Sequence, residues 1–184
     1  PKHVIPVMKK LLSKYNIKNQ IAEAVNTAYQ ALEDFRKDIT NKAKQVISQA
    51  RAEGRKIIVL AGRPYHLDKE INHGIHKLIT SLGLAVVTED SIASLGEMPK
   101  LHVYNQWTYH SRLYRAAQYV TTQPDMQLVQ LVSFGCGIDA ITTDEVRSIL
   151  ESAGKLYTQL KIDEITNLGA AKIRLRSLLA AMNQ

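Results

Sequence analysis

The chain has one cysteine, Cys136, in 184 residues. No internal disulfide can form, and a reducing cytoplasm is the expected setting. No apolar run approaches the ~20 residues that cross a bilayer, and no signal-peptide pattern opens the sequence, so no membrane contact is expected. P-loop, G-x-G-x-x-G, nucleophile-elbow and four-cysteine patterns are all missing. Nucleotide hydrolysis, dinucleotide binding and serine hydrolysis thereby lose their usual support. There is no internal repeat and no low-complexity tract. The net charge is +7, but basic residues are scattered, with Lys9-Lys10 and Arg174/Arg176 as the only local concentrations. Without a basic, aromatic-studded surface or a DNA-reading motif, nucleic acid is not an expected partner. The charge suits instead an acidic partner surface or a phosphate-bearing ligand.

What is present is an ordinary globular composition, 45% hydrophobic and 22% charged, in 20.6 kDa. One domain with an appendage is expected. The chain opens on Pro1, as a segment of a longer protein would. The appendage is residues 1–54. From Ile17, apolar residues recur at spacings of three and four through Ile21, Val25, Ala28, Leu32, Phe35, Ile39, Ala43, Val46 and Ala50. That is one stripe on a long helix, with charged and amide side chains on the other faces. Gly54 is its expected C-terminal cap. A shorter helix over 7–15 precedes it, with the break at Asn16. The stripe packs either on the chain's own sheet or against a neighbouring domain of a parent protein.

From Lys56 the rhythm changes to apolar strands, expected at 57–61, 85–88, 127–132 and 156–160. Helices are expected between them at 71–82, 111–120 and 143–152, with a last one at 168–182. Thr142 is the expected N-cap of the third of these. Strands that alternate with helices predict a parallel sheet covered on both faces by right-handed crossovers. Residues 55–184 are therefore read as a flavodoxin-like, Rossmann-like α/β domain. Its four-stranded sheet has the order 2-1-3-4, with the switch point between the first and third strands.

Ligands bind at the carboxyl edge of such sheets, and three strands end there in polar clusters. The first is Gly62-Arg63-Pro64-Tyr65-His66. Gly62 permits a tight turn, Arg63 offers a fork of donors for phosphate or carboxylate, and Pro64 disfavours a helical Arg63. His66, His73 and His76 follow closely, yet no acid or thiol stands at a compelling metal spacing. The second cluster is Ser133-Phe134-Gly135-Cys136-Gly137-Ile138-Asp139. Gly135 and Gly137 expose the cysteine and free backbone N–H groups for an anion. Cys136 itself reads as nucleophile, metal ligand or buried filler, and the sequence places no activating base for it. The third is Lys161-Ile162-Asp163-Glu164, where Lys161 and Asp163 share one side of a strand. They pair with each other or flank a polar ligand. Tyr109, Arg112 and Tyr114 line the mouth between strands two and three, or else face core and solvent in the ordinary way.

The strings GRPYH, QLVSFGCGIDA and LKIDE, with QWTYHSRLYRAA and NLGAAKIRLRSLLAA, resemble the C-terminal region of large bacterial CoA-substrate-specific enzyme activases. These are related to activators of 2-hydroxyacyl-CoA dehydratases. The resemblance runs from about Lys56 to the end, with the helical arm less distinctive. It implies a parent with an upstream ATPase domain and a region similar to dehydratase subunits and double-cubane proteins. By that similarity Cys136 is a candidate ligand of a [4Fe–4S] cluster whose other cysteines lie elsewhere in the parent. One cysteine cannot hold such a cluster, so none is expected in this segment, and no activity from it alone. The reading is thus one wall of an iron–sulfur site for low-potential electron transfer, with the parent's other domains as partners. Gly62, Arg63, His66, Ser133, Gly135, Gly137, Lys161 and Asp163 would line it. Two alternatives stand beside it: a module that binds a CoA-thioester or other anionic ligand, and an architectural domain that docks through the long helix.

Overall fold

The structure is a computed structural model that describes residues 1–133, 135, 137–162 and 167–182. Two compact units are present, residues 1–41 and 42–184. The first holds α1 (Val4–Leu11) and most of α2, a helix of 35 residues from Lys18 to Ala52. Ile21 is buried within it, whereas Leu32 is 42% and Phe35 58% exposed. The middle of the apolar stripe therefore faces solvent.

The second unit is built on a sheet of β1 (Ile57–Ala61), β2 (Ala85–Thr88), β3 (Met126–Val132) and β4 (Tyr157–Lys161). The order is β2-β1-β3-β4 and every pairing is parallel, as the sequence predicts. All five residues of β1 are buried, the pattern of a central strand covered on both faces. On one face Ile57, Val59 and Leu128 pack with α5 (Thr108–Thr121), α6 (Gly137–Ser152) and the last turns of α2 through Ala43, Ile47 and Ala50. On the other, Ile58, Leu60 and Val129 pack with α3 (Ile75–Ser81) and α7 (Gly169–Met182). A short α4 (Glu89–Ile92) follows β2 directly.

The end of α2 is pinned as well as buried. Arg51 grips both oxygens of Asp125 at 2.8 and 3.0 Å, just ahead of β3. Opposite, Gly96 approaches α5 so closely that a Cβ would lie 2.1 Å from the carbonyl oxygen of Arg115. Only glycine fits there. No helix among the described residues is long and apolar enough to cross a membrane.

Leu128→Ala, at a fully buried position in the sheet, is expected to lower the unfolding free energy by about 3 kcal/mol. Leu32→Ala, on the exposed stretch of α2, is expected to change it by less than about 0.5 kcal/mol. Urea denaturation checks both, and equal costs would show that the stripe is covered in solution.

Candidate functional site

The carboxyl edge is organised from Gly62 outward. A Cβ on Gly62 would lie 2.4 Å from His66 Nδ1 and 3.0 Å from the Leu131 carbonyl oxygen. The absent side chain is thus the seat of the His66 ring. Pro64 opens a 3-10 turn (Pro64–Leu67) that folds His66 back onto the strand end. The Arg63 backbone N–H donates to His66 Nδ1 at 2.9 Å. The imidazole proton is therefore on Nε2, which donates to Ser133 Oγ at 3.0 Å. Burial lowers the His66 pKa and keeps the ring neutral. A histidine in this tautomer cannot take a proton from Ser133, so the pair is a positioning contact and not a nucleophile with its base.

Asn72 holds the following turn. Its Nδ2 donates to the His66 carbonyl at 3.3 Å, and its Oδ1 accepts from Gly74 N–H at 3.0 Å and from His76 Nδ1 at 2.9 Å. His73 and Gly74 are both left-handed, at φ 50° and 75°. The helix expected over 71–82 for this reason begins only at Ile75, and His73 and His76 share no helical face. Among the described residues no group of three or more His, Cys, Asp or Glu side chains converges as a metal site.

The second cluster meets the first across the switch point. α6 starts at Gly137, ahead of the expected cap; Thr142 lies inside it and its hydroxyl donates back to the Ile138 carbonyl at 2.8 Å. That early start puts Asp139 in the first turn. Arg63 reaches its Oδ1 with Nε at 2.8 Å and Nη2 at 2.7 Å. Asp139 Oδ2 is buried and, among the described residues, has no hydrogen-bond partner. His110, from the first turn of α5, is buried in the field of this pair. Desolvation lowers its pKa, the Arg63 charge lowers it further, and Asp139 opposes them.

Gly62, Arg63, His66 and Ser133 thus come together. Gly135 and Gly137 are exposed beside them, with open space where a Cβ would stand. Lys161 lies one strand further out, in register with Val132, and lines a separate cavity of about 420 Å³ with Arg147 and Arg174. Ser133 opens instead on a cavity of about 350 Å³ bounded by Glu70, His73 and Ile162. The positions proposed for Cys136 and Asp163 lie outside the described residues.

Sequence reasoning passed over Glu89, which follows β2 directly on the same edge and opens α4. It is 1% exposed and receives Arg112 Nη2 at 2.5 Å and Nε at 3.2 Å. Burial outweighs the guanidinium and pushes its pKa up to about 7. Tyr109 stacks over Arg112, 5.1 Å from the ring centroid, while Tyr114 is buried. The signal was available: Thr88-Glu89-Asp90 is a fourth polar cluster at a strand end. Around the mouth stand exposed apolar and aromatic side chains, among them Tyr104 (86% exposed), Trp107 (54%) and Ile141 (54%). The edge as a whole is a preorganised wall: its two guanidiniums are paired with buried carboxylates, and its histidine and serine with each other.

Residues 2–92 match the model of a family described as CoA enzyme activase uncharacterised domain, and the chain carries a domain of that family. The match takes in the helical arm, β1, α3 and β2, and with them Gly62, Arg63 and His66. It ends at Ile92, so β3 and β4 and the strings around Cys136 and Lys161 lie beyond it. No curated protein and no solved structure matches the chain.

Two outcomes follow from this geometry. Glu89 has a folded pKa of about 7 against an ordinary 4.5, so its contribution to stability is complete below pH 4.5 and lost as pH rises through 7. Glu89→Gln keeps the uncharged form. The unfolding free energy of the wild type relative to this variant should therefore fall by on the order of 3 kcal/mol between pH 5 and 8. His66 and His110 are common to both proteins and cancel; a flat difference would mean an ordinary carboxyl. Gly62→Ala should displace the His66 ring and cost about 2 kcal/mol or more. Imidazole ¹⁵N shifts unchanged from wild type would refute the seating argument.

Proposed function

We propose that this chain, carrying a CoA enzyme activase domain at residues 2–92, contributes one wall of an iron–sulfur site used for low-potential electron transfer in its parent protein, and is inactive alone. The observation that carries the reading is the pair of exposed glycines at the passage from β3 to α6. Gly135 and Gly137 are exposed on either side of Cys136, and no described side chain or backbone fills the space where their Cβ atoms would stand. A group from another domain has a path to the backbone at this point, while the shell beneath it is fixed by Arg63–Asp139 and His66–Ser133.

The residues of this chain do not form a ligand set by themselves. It has one cysteine, and among the described residues no three metal-binding side chains converge. A [4Fe–4S] centre needs three or four thiolates, so the remainder would come from elsewhere in the parent. The role of the described residues is therefore to fix Ser133 at the end of β3 and the start of α6, on either side of the sequence that contains Cys136.

Exposed Leu32 and Phe35 on α2 favour a docking role for the arm in addition. The CoA-thioester or anionic-ligand reading has less support, because Arg63 and Arg112 are each neutralised by a buried carboxylate.

Anaerobic iron–sulfur reconstitution of the full-length parent tests the proposal. Cys136→Ala is expected to lower its iron content and its cluster absorbance, while the 184-residue chain alone retains no stable cluster. Unchanged iron in the variant would sink the reading.

A further inference from the structure

β4 is the outermost strand of the sheet among the described residues. The Ile162 N–H donates to the Val132 carbonyl, so even-numbered residues of β4 turn their backbone groups toward β3. The odd-numbered residues Tyr157, Gln159 and Lys161 turn theirs outward. The Gln159 carbonyl is met there by Arg174 Nη1, at 2.8 Å, reaching over from α7. A charged side chain laid on an edge is a common guard against unwanted strand pairing.

The two sides of this edge differ in chemistry. On the α6 side a cavity of about 420 Å³ is lined by Arg147, Lys161 and Arg174 with a single acid, Glu151. On the α7 side a groove of about 370 Å³ runs past Leu156, Ile173 and Leu178. Leu156 is 44% and Ile173 69% exposed. The sequence from Lys155 to Met182 has five basic residues, Lys155, Lys161, Lys172, Arg174 and Arg176, against Asp163 and Glu164.

We propose that the outer edge of β4 accepts an extended acidic segment as a fifth strand. Side chains of a strand alternate between the faces of a sheet. The incoming segment therefore alternates carboxylates, toward the cavity of Arg147, with apolar residues, toward Ile173 and Leu178. Backbone hydrogen bonds supply the pairing and the two grooves supply the selection. Arg174 is the guard that the arriving strand displaces, and it is then placed to meet one of the carboxylates.

The test uses the 184-residue chain and a labelled, end-blocked heptapeptide of alternating Glu and Val, followed by fluorescence anisotropy and amide hydrogen exchange. Binding is expected to protect the amides of Tyr157 and Gln159. Arg147→Glu and Ile173→Glu, both at exposed positions, are each expected to weaken it at least about tenfold. Equal binding of the Lys/Val analogue, or binding without protection of those two amides, would overturn the proposal. So would a concentration-dependent dimer of the chain that protects the same amides without peptide.

Discussion

The lateral pairing of β1 with β3, two strands 69 residues apart at their starts, is the constraint on which the rest of the 42–184 unit depends. β1 is wholly apolar and β3 is apolar but for Gln127 and Gln130, and both are largely buried, so their partners are fixed by the need to satisfy backbone groups out of reach of water. Once Ala61 is in register with Gln130, the residues that follow each strand leave the sheet side by side. Gly62 and Arg63 emerge next to Ser133, and the helix that begins at Gly137 presents Asp139 to the guanidinium. The ion pair is thus a consequence of strand order, with sequence separation playing no part in it.

Much of this could be read from the sequence, and the failures have identifiable causes. Strands 57–61 and 85–88 match residue for residue, because short aliphatic runs bounded by Gly or polar residues have no competing helical reading. The starts of α3 and α6 were misplaced by opposite effects. Asn72 captures the backbone before Ile75 in a local turn and delays one helix. In α6, Thr142 looks like a cap but is already inside, because the chain turns helical directly after the glycine that leaves β3. Local side-chain hydrogen bonding is what propensity and periodicity miss. The stripe on α2 is legible as a stripe; that Ala43, Ile47 and Ala50 pack in the core of the 42–184 unit is set by tertiary packing, which no local pattern encodes.

Electrostatically, the chain's surplus of positive charge is not concentrated at the carboxyl edge. Arg63 and Arg112 are each matched by a buried carboxylate, and the first turns of α4 and α6 carry acids where helix dipoles favour them. Glu89 shows how finely this matching is balanced: a guanidinium at hydrogen-bond distance does not fully offset removal of the carboxylate from water. Further basic residues, Lys161, Lys172, Arg174 and Arg176, lie along the outer strand and α7, away from the switch point.

The hydrogen bond from the Arg63 amide to His66 gives the edge a direction. A backbone N–H cannot change roles, so it polarises the chain one way: amide to imidazole, imidazole to the Ser133 oxygen. With that oxygen already accepting, the hydroxyl hydrogen of Ser133 is turned away from the ring. Tyr65 Oη, 3.4 Å from the Ser133 oxygen, stands within reach of that hydrogen, and the polarity of the strand end is set by a main-chain group two hydrogen bonds upstream. A second proton on the ring would set two N–H groups facing each other at Nδ1, so any event that charges the imidazole must also open the turn at Gly62. The histidine is in this sense a latch, locked by its own backbone.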